Sequence, residues 1–132
     1  MDPILADVRP HLPLPVSTVE ADSDGIRLGG DGWGLRINTE WILHPADGPD
    51  GAELSSREQS PAEELAAALT GREVVDVRLD RHGPYGDIAL VLGDGGSLEV
   101  ISDFPYGEWI FSIWTPTDPE QRPVFDLSGP VE

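Results

Sequence analysis

Gly30-Asp31-Gly32-Trp33-Gly34-Leu35-Arg36-Ile37 is answered later in the chain by Gly93-Asp94-Gly95-Gly96-Ser97-Leu98-Glu99-Val100. An apolar segment precedes each copy, Ile26 to Leu28 and Ile88 to Leu92. A tryptophan-centred segment follows each, Glu40-Trp41-Ile42-Leu43 and Glu108-Trp109-Ile110-Phe111. Further upstream, Val16-Ser17-Thr18-Val19-Glu20 matches Val74-Val75-Asp76-Val77-Arg78. Glycine and aspartate between apolar runs mark tight hairpins, because they accept the positive φ that such turns need. The pattern predicts two tandem strand-hairpin-strand repeats, over 16–44 and 73–115. One copy alone is too small to bury its apolar face. The expected class is α+β, mainly antiparallel β, with both repeats in one sheet or sandwich and a single domain over 1–132.

Outward from the hairpins, four prolines among residues 1–15 predict an extended lead-in with a turn of helix at Ile4 to Val8. From Val16 onward the chain alternates, with Val16, Thr18 and Glu20 on one side and Ser17 and Val19 on the other. Residues 45–60 carry scattered proline, glycine and acid and read as a loop. Ser60-Pro61-Ala62-Glu63 then combines an N-cap serine, a proline at the first helical position and an early glutamate. It opens a helix over about 61–70, with Leu65, Ala66 and Leu69 as its buried stripe and Gly71 as its stop. This helix lies between the repeats, placed to cover a sheet face. In the last strand Trp109, Phe111 and Ile113 share one face and Ile110, Ser112 and Trp114 the other. Apolar groups on both faces predict a strand that is central or covered on both sides. Val124 to Leu127 can add a short edge strand.

Composition bounds the function classes. The chain has 132 residues, 39% of them apolar, and no cysteine. Disulfides, thiolate zinc sites and a cysteine nucleophile are thereby excluded, which fits a reducing cytoplasm. The N-terminus has no basic region followed by an apolar core, and no apolar run approaches the roughly 20 residues that span a bilayer. The formal net charge is −17, and the acids run from Asp2 to Glu132 without collecting in one tail. Such a field repels nucleic-acid phosphates and anionic membranes and steers basic proteins inward. The same charge also keeps a protein soluble. All eight basic residues are arginine. With abundant glycine, aspartate, alanine and proline, that usage points to a GC-rich bacterial genome.

Chemistry-bearing motifs are sparse. His11, His44 and His82 share no helical spacing, so no metal site is predicted and no cofactor is expected. Asp80-Arg81-His82-Gly83-Pro84-Tyr85 brings a carboxylate, an imidazole and a phenol into one loop, where Asp80 would orient His82 as a base. No nucleophile elbow accompanies it, so a structural or binding turn is the better reading. Asp22-Ser23-Asp24-Gly25 opens like a calcium loop, but Trp33 stands where the bidentate glutamate belongs. The Gly-Asp-Gly hairpins lack the lysine and the following helix of a phosphate cradle. Trp33 at its hairpin rim, ringed by acids, is the candidate exposed hot spot. Asp31, Asp94, His82, Tyr85 and Tyr106 complete the candidate binding set, with no catalytic residue assigned.

The paired hairpins and tryptophans (Gly30-Asp31-Gly32-Trp33, Gly93-Asp94-Gly95, Ser102-Asp103, Glu108-Trp109) resemble small acidic bacterial proteins of unknown function, some of them immunity-protein-like. The resemblance covers 16–115 and implies a non-enzymatic, partner-binding role. The expected function is an acidic protein-binding module, an immunity-type inhibitor of a basic toxin. The alternatives are a homodimeric scaffold domain and a small hydrolase using His82.

Overall fold

A computed structural model of the protein describes residues 6–22, 25–44, 54–55, 61–82, 85–101, 109–120 and 122–129. Eleven strands and one helix follow in chain order: β1 (Leu14–Pro15), β2 (Thr18–Asp22), β3 (Gly25–Gly30), β4 (Trp33–Ile37), β5 (Glu40–His44), β6 (Leu54–Ser55), α1 (Pro61–Leu69), β7 (Glu73–His82), β8 (Tyr85–Leu92), β9 (Ser97–Ile101), β10 (Trp109–Trp114) and β11 (Pro123–Gly129). They form two sheets, ordered β1-β7-β8-β9-β5-β6 and β11-β10-β4-β3-β2. Every strand pairing is antiparallel. The architecture is therefore mainly antiparallel β with one helix among the described residues.

The strand order crosses between the sheets. The meander β2-β3-β4 belongs to one sheet and the meander β7-β8-β9 to the other. The next strand of each meander leaves it: β5 pairs with β9, and β10 pairs with β4. Each emigrant strand then takes its successor as outer neighbour, β6 on β5 and β11 on β10. Trp41 stands opposite Val100, and Trp109 opposite Ile37.

Period-two alternation supplies the core between the sheets. Trp33, Leu35 and Ile37 of β4, Trp109, Phe111 and Ile113 of β10, Trp41 and Leu43 of β5, and Leu98 and Val100 of β9 are all buried in one apolar cluster. The Trp33 and Phe111 rings lie 6.2 Å apart at a tilt, and Phe125 of β11 meets Phe111 edge-on at 6.0 Å. Such pairings suit the ring quadrupole better than face-to-face stacking. The expectation that the last tryptophan strand is central or covered on both sides is met by its first alternative. β10 is central in its sheet, between β4 and β11, but its outer face is open, with Ile110 38% exposed.

Val16 does not begin a strand with Thr18 and Glu20, as alternation had suggested. Its amide donates to the Arg72 carbonyl, while the Ser17 amide donates to the Gly29 carbonyl. Val16-Ser17 is thus the corner where the chain passes from the edge at β7 to the edge at β3. Val16 is buried there, while Thr18 and Glu20 are exposed. At the N-terminus a 3-10 turn lies at Arg9–His11, and Ile4 and Leu5, where the expected helical turn begins, lie outside the described residues.

The helix starts at Pro61 and buries Leu65 and Leu69 completely. It packs against β2 and β6. Gly71 ends it with φ +89°, and its amide donates to the Val16 carbonyl, tying the helix stop to the corner. Ser60, the expected cap, lies outside the described residues. Among the described residues no helix is long and apolar enough to cross a membrane.

Candidate functional site

The predicted binding residues fall into three places. At the β3–β4 turn, Gly30 pairs with Trp33, leaving Asp31-Gly32 as a two-residue connection with Gly32 at φ +81°. Asp31 is exposed at its tip. Trp33 is not: it is 1% exposed, contrary to the expectation of a rim hot spot. The strand begins with Trp33, so alternation sends it inward with Leu35 and Ile37. Its Nε1–H donates to the Pro15 carbonyl at 2.7 Å, which lets the whole indole leave water without stranding a donor.

At the β8–β9 turn, Asp94 closes its own loop. Its Oδ1 accepts the Gly96 amide at 2.9 Å, and Oδ2 faces Arg72 Nη1 at 3.3 Å. Local capture of a backbone amide is the ordinary duty of aspartate in a turn. The ion pair is half exposed and contributes little on its own. The Gly93 amide donates to the Glu73 carbonyl, and Glu73 stands opposite Pro15. Since Pro15 also accepts the Trp33 indole, the first Gly-Asp-Gly turn abuts β1 and the second abuts β7, the strand paired with β1.

The third place corrects the expected reactive loop. Pairing continues through Asp80↔Asp87, Arg81↔Gly86 and His82↔Tyr85, so these residues belong to the strands β7 and β8. The second hairpin is longer than its sequence punctuation implied, because antiparallel pairing persists past the polar residues. Tyr106 lies outside the described residues. Of the described residues in the predicted set, Asp31, Asp94 and the His82–Tyr85 pair stand at three separate strand ends. Among the described residues no group of three or more potential ligating side chains could hold a metal ion.

Two polar features went unforeseen. Asp87 is the one buried charged side chain among the described residues, 4% exposed, and its Oδ1 accepts the Trp109 indole N–H at 3.0 Å. On the outer face of the β7-containing sheet, His44 Nε2 and Glu99 Oε2 stand 3.0 Å apart, both partly exposed.

The outer face of the other sheet holds an open groove of about 230 Å³, lined by Arg27, Gly34, Leu35, Arg36, Ile110, Ser112 and Trp114. Register explains its composition. Arg27 of β3 stands opposite Arg36 of β4, which stands opposite Ile110 of β10. One step along, Gly29, Gly34 and Ser112 form the next row. The half-buried Trp114 ring lies beside Gly34, and its edge would be 3.6 Å from a Cβ at that position. Arg36 Nε donates to Asn38 Oδ1 at 3.1 Å, holding that guanidinium in place. Arg27 is exposed and has no ion-pair partner among the described residues; Glu20, opposite it on β2, makes none with it. The sequence carried the signal in the outward run Ile110, Ser112, Trp114. What it lacked was the neighbour, since nothing local says that β10 lies beside β4.

Comparison with protein-family models, curated proteins and solved structures finds no match.

Proposed function

We propose that the protein is a non-enzymatic, acidic protein-binding module built from two tandem copies of one strand unit whose last strands are exchanged between sheets. The strand registers support the duplication. Leu35 stands opposite Phe111 and Leu98 opposite Leu43, so equivalent residues of each copy meet equivalent residues of the other. The equivalence extends beyond the hairpins and tryptophans: Leu54-Ser55 beside β5 matches Leu127-Ser128 beside β10 in both sequence and pairing.

The observation that carries the binding reading is the placement of charge. With a net charge of −17, exposed carboxylates occur on both sheets, on the helix and in the turns, at Glu20, Asp31, Glu63, Glu64, Glu73, Asp94 and Asp126. A basic partner is attracted by such a field at long range. An immunity-type inhibitor of a basic toxin suits that surface, since a nuclease presents its own basic face to substrate; this step is analogy and not geometry. The test is co-expression with the product of the reading frame directly upstream. A complex that persists at low ionic strength and separates at high ionic strength supports the reading, because exposed charge is screened within about 10 Å at 0.1 M salt. A complex indifferent to salt refutes its electrostatic basis.

A second reading, a homodimeric scaffold, rests on β11. It forms one edge of its sheet over seven residues, with Val124 59% exposed. Such an edge offers unpaired backbone groups to another strand. A salt-insensitive dimer in light scattering would favour this reading, while turnover abolished by His82→Ala in a substrate screen would replace both with a hydrolase.

A further inference from the structure

The groove on the outer face of the β11-β10-β4-β3-β2 sheet differs in character from the rest of this acidic molecule. Two of its eight arginines, Arg27 and Arg36, stand side by side there on adjacent strands. Beside them lie Ile110, Trp114 and the bare backbone of Gly34, so the surface between indole and guanidinium is apolar. Arginine and tryptophan around an exposed aliphatic group form the composition that dominates binding energy at protein interfaces. At about 230 Å³ and open to solvent, the groove is smaller than the roughly 300–1,000 Å³ of enclosed small-molecule sites. It has room for one or two side chains of a partner.

We infer that this groove docks an acidic segment of a partner protein, whose apolar or aromatic side chain lies between Trp114 and Ile110 while a neighbouring carboxylate meets Arg27. Charge complementarity selects the occupant. An exposed guanidinium that makes no ion pair among the described residues, as at Arg27, favours a carboxylate and disfavours the lysine- or arginine-rich segment that the overall charge attracts. Arg36, held by Asn38, stands beside Arg27, and Arg27 is available without breaking an ion pair. The inference adds to the binding-module reading a contact of opposite sign, so a partner using both surfaces would need segregated charge.

The experiment is selection of a phage-displayed library of random peptides on the full chain, followed by titration of the winning synthetic peptides into Arg27→Glu and Ile110→Glu proteins. Both positions are exposed, so the substitutions spare the core; circular dichroism and the unfolding midpoint check this. The expected winners carry Asp or Glu next to a large apolar residue, and each substitution weakens them by about ten-fold or more, roughly the loss of one good charge-assisted contact. The inference is overturned by no enrichment, by winners without acids, or by acidic winners indifferent to both substitutions. Basic winners indifferent to both would sink the groove while supporting the broader acidic surface, so the two readings fail separately.

Discussion

Gly129→Ala exposes how tightly the last strand is fitted. Gly129 of β11 stands opposite Trp109 of β10, and a Cβ built there would overlap Cε2, Cζ2 and Nε1 of the Trp109 indole. The ring has no room to yield, because it is fully buried and its Nε1–H is held by Asp87. Relief must come from lifting the end of β11, which strains its pairing, or from shifting the indole off Asp87. Overpacking of this kind costs about 1–3 kcal/mol. Disturbing the Asp87 bond adds about 1–3 kcal/mol where the buried oxygen loses its donor. Against this, replacing a strand glycine by alanine ordinarily gains about 0.5–1 kcal/mol. The net expectation is a loss of about 2–4 kcal/mol, a large share of the roughly 5–15 kcal/mol that stabilises a domain. Urea unfolding followed by tryptophan fluorescence measures it, and the thermal midpoint should fall by about 3–5 °C per kcal/mol. A double-mutant cycle with Trp109→Phe, whose smaller ring frees space, should give less than the sum of the single losses. An unchanged or raised midpoint for Gly129→Ala would refute the packing argument, since propensity alone predicts that sign.

Gly71→Ala meets no atom within 4 Å but imposes φ +89° on a residue with a Cβ, so it should cost about 1–2 kcal/mol in urea unfolding through conformation alone. Trp33→Phe removes the donor to the Pro15 carbonyl and should lower stability by about 1–3 kcal/mol, with Trp33→Tyr no better because the phenol hydroxyl does not coincide with the indole N–H. The Asp118 carboxylate is held below the usual aspartate range, first by the Glu120 amide and also by the Arg122 side chain and amide. Its carboxyl carbon should titrate in NMR below the aspartate reference, and Arg122→Ala should bring it closer to that value. A folded-state value below the unfolded one means that its stabilising contribution is complete above the unfolded value and fades as pH falls through the folded one.

Much of the fold was legible because its signals are local. The Gly-Asp-Gly turns, the helix from Pro61 to its Gly71 stop and the inward set Trp109, Phe111 and Ile113 follow from turn chemistry and period two. What was not legible was non-local. The corner at Val16 is a pairing choice, made when its amide finds Arg72 and the next amide finds Gly29. The inward turn of Trp33 needed the Pro15 carbonyl, which lies far off in sequence. The groove needed the neighbourhood of β10 and β4, from opposite halves of the chain. The match of Leu54-Ser55 to Leu127-Ser128 is too short to register as a repeat until pairing puts both on the outer side of a tryptophan strand.

If the chain is a duplicated unit with exchanged strands, the two outer faces are where its copies were free to part company. One cross-strand row reads Glu20, Arg27, Arg36, Ile110, Ser128, and its counterpart on the other sheet reads Arg78, Ala89, Glu99, Ile42, Ser55. The inward neighbours stay apolar on both sides, Leu28 with Leu90, Leu35 with Leu98 and Trp109 with Trp41, because each packs in the same core and a change of volume there is felt by its neighbours. Outward positions that reach solvent, such as Arg27, carry no such constraint, although Ala89 on the other sheet is itself buried. Arg27 faces solvent where the other copy has the buried Ala89, and the partly exposed Arg36 stands where it has Glu99. A symmetric pair of faces would present the same contact twice. Divergence of sign on the outside, with likeness kept inside, gives one core two different surfaces, and that makes the faces, not the interior, the place to look for partners.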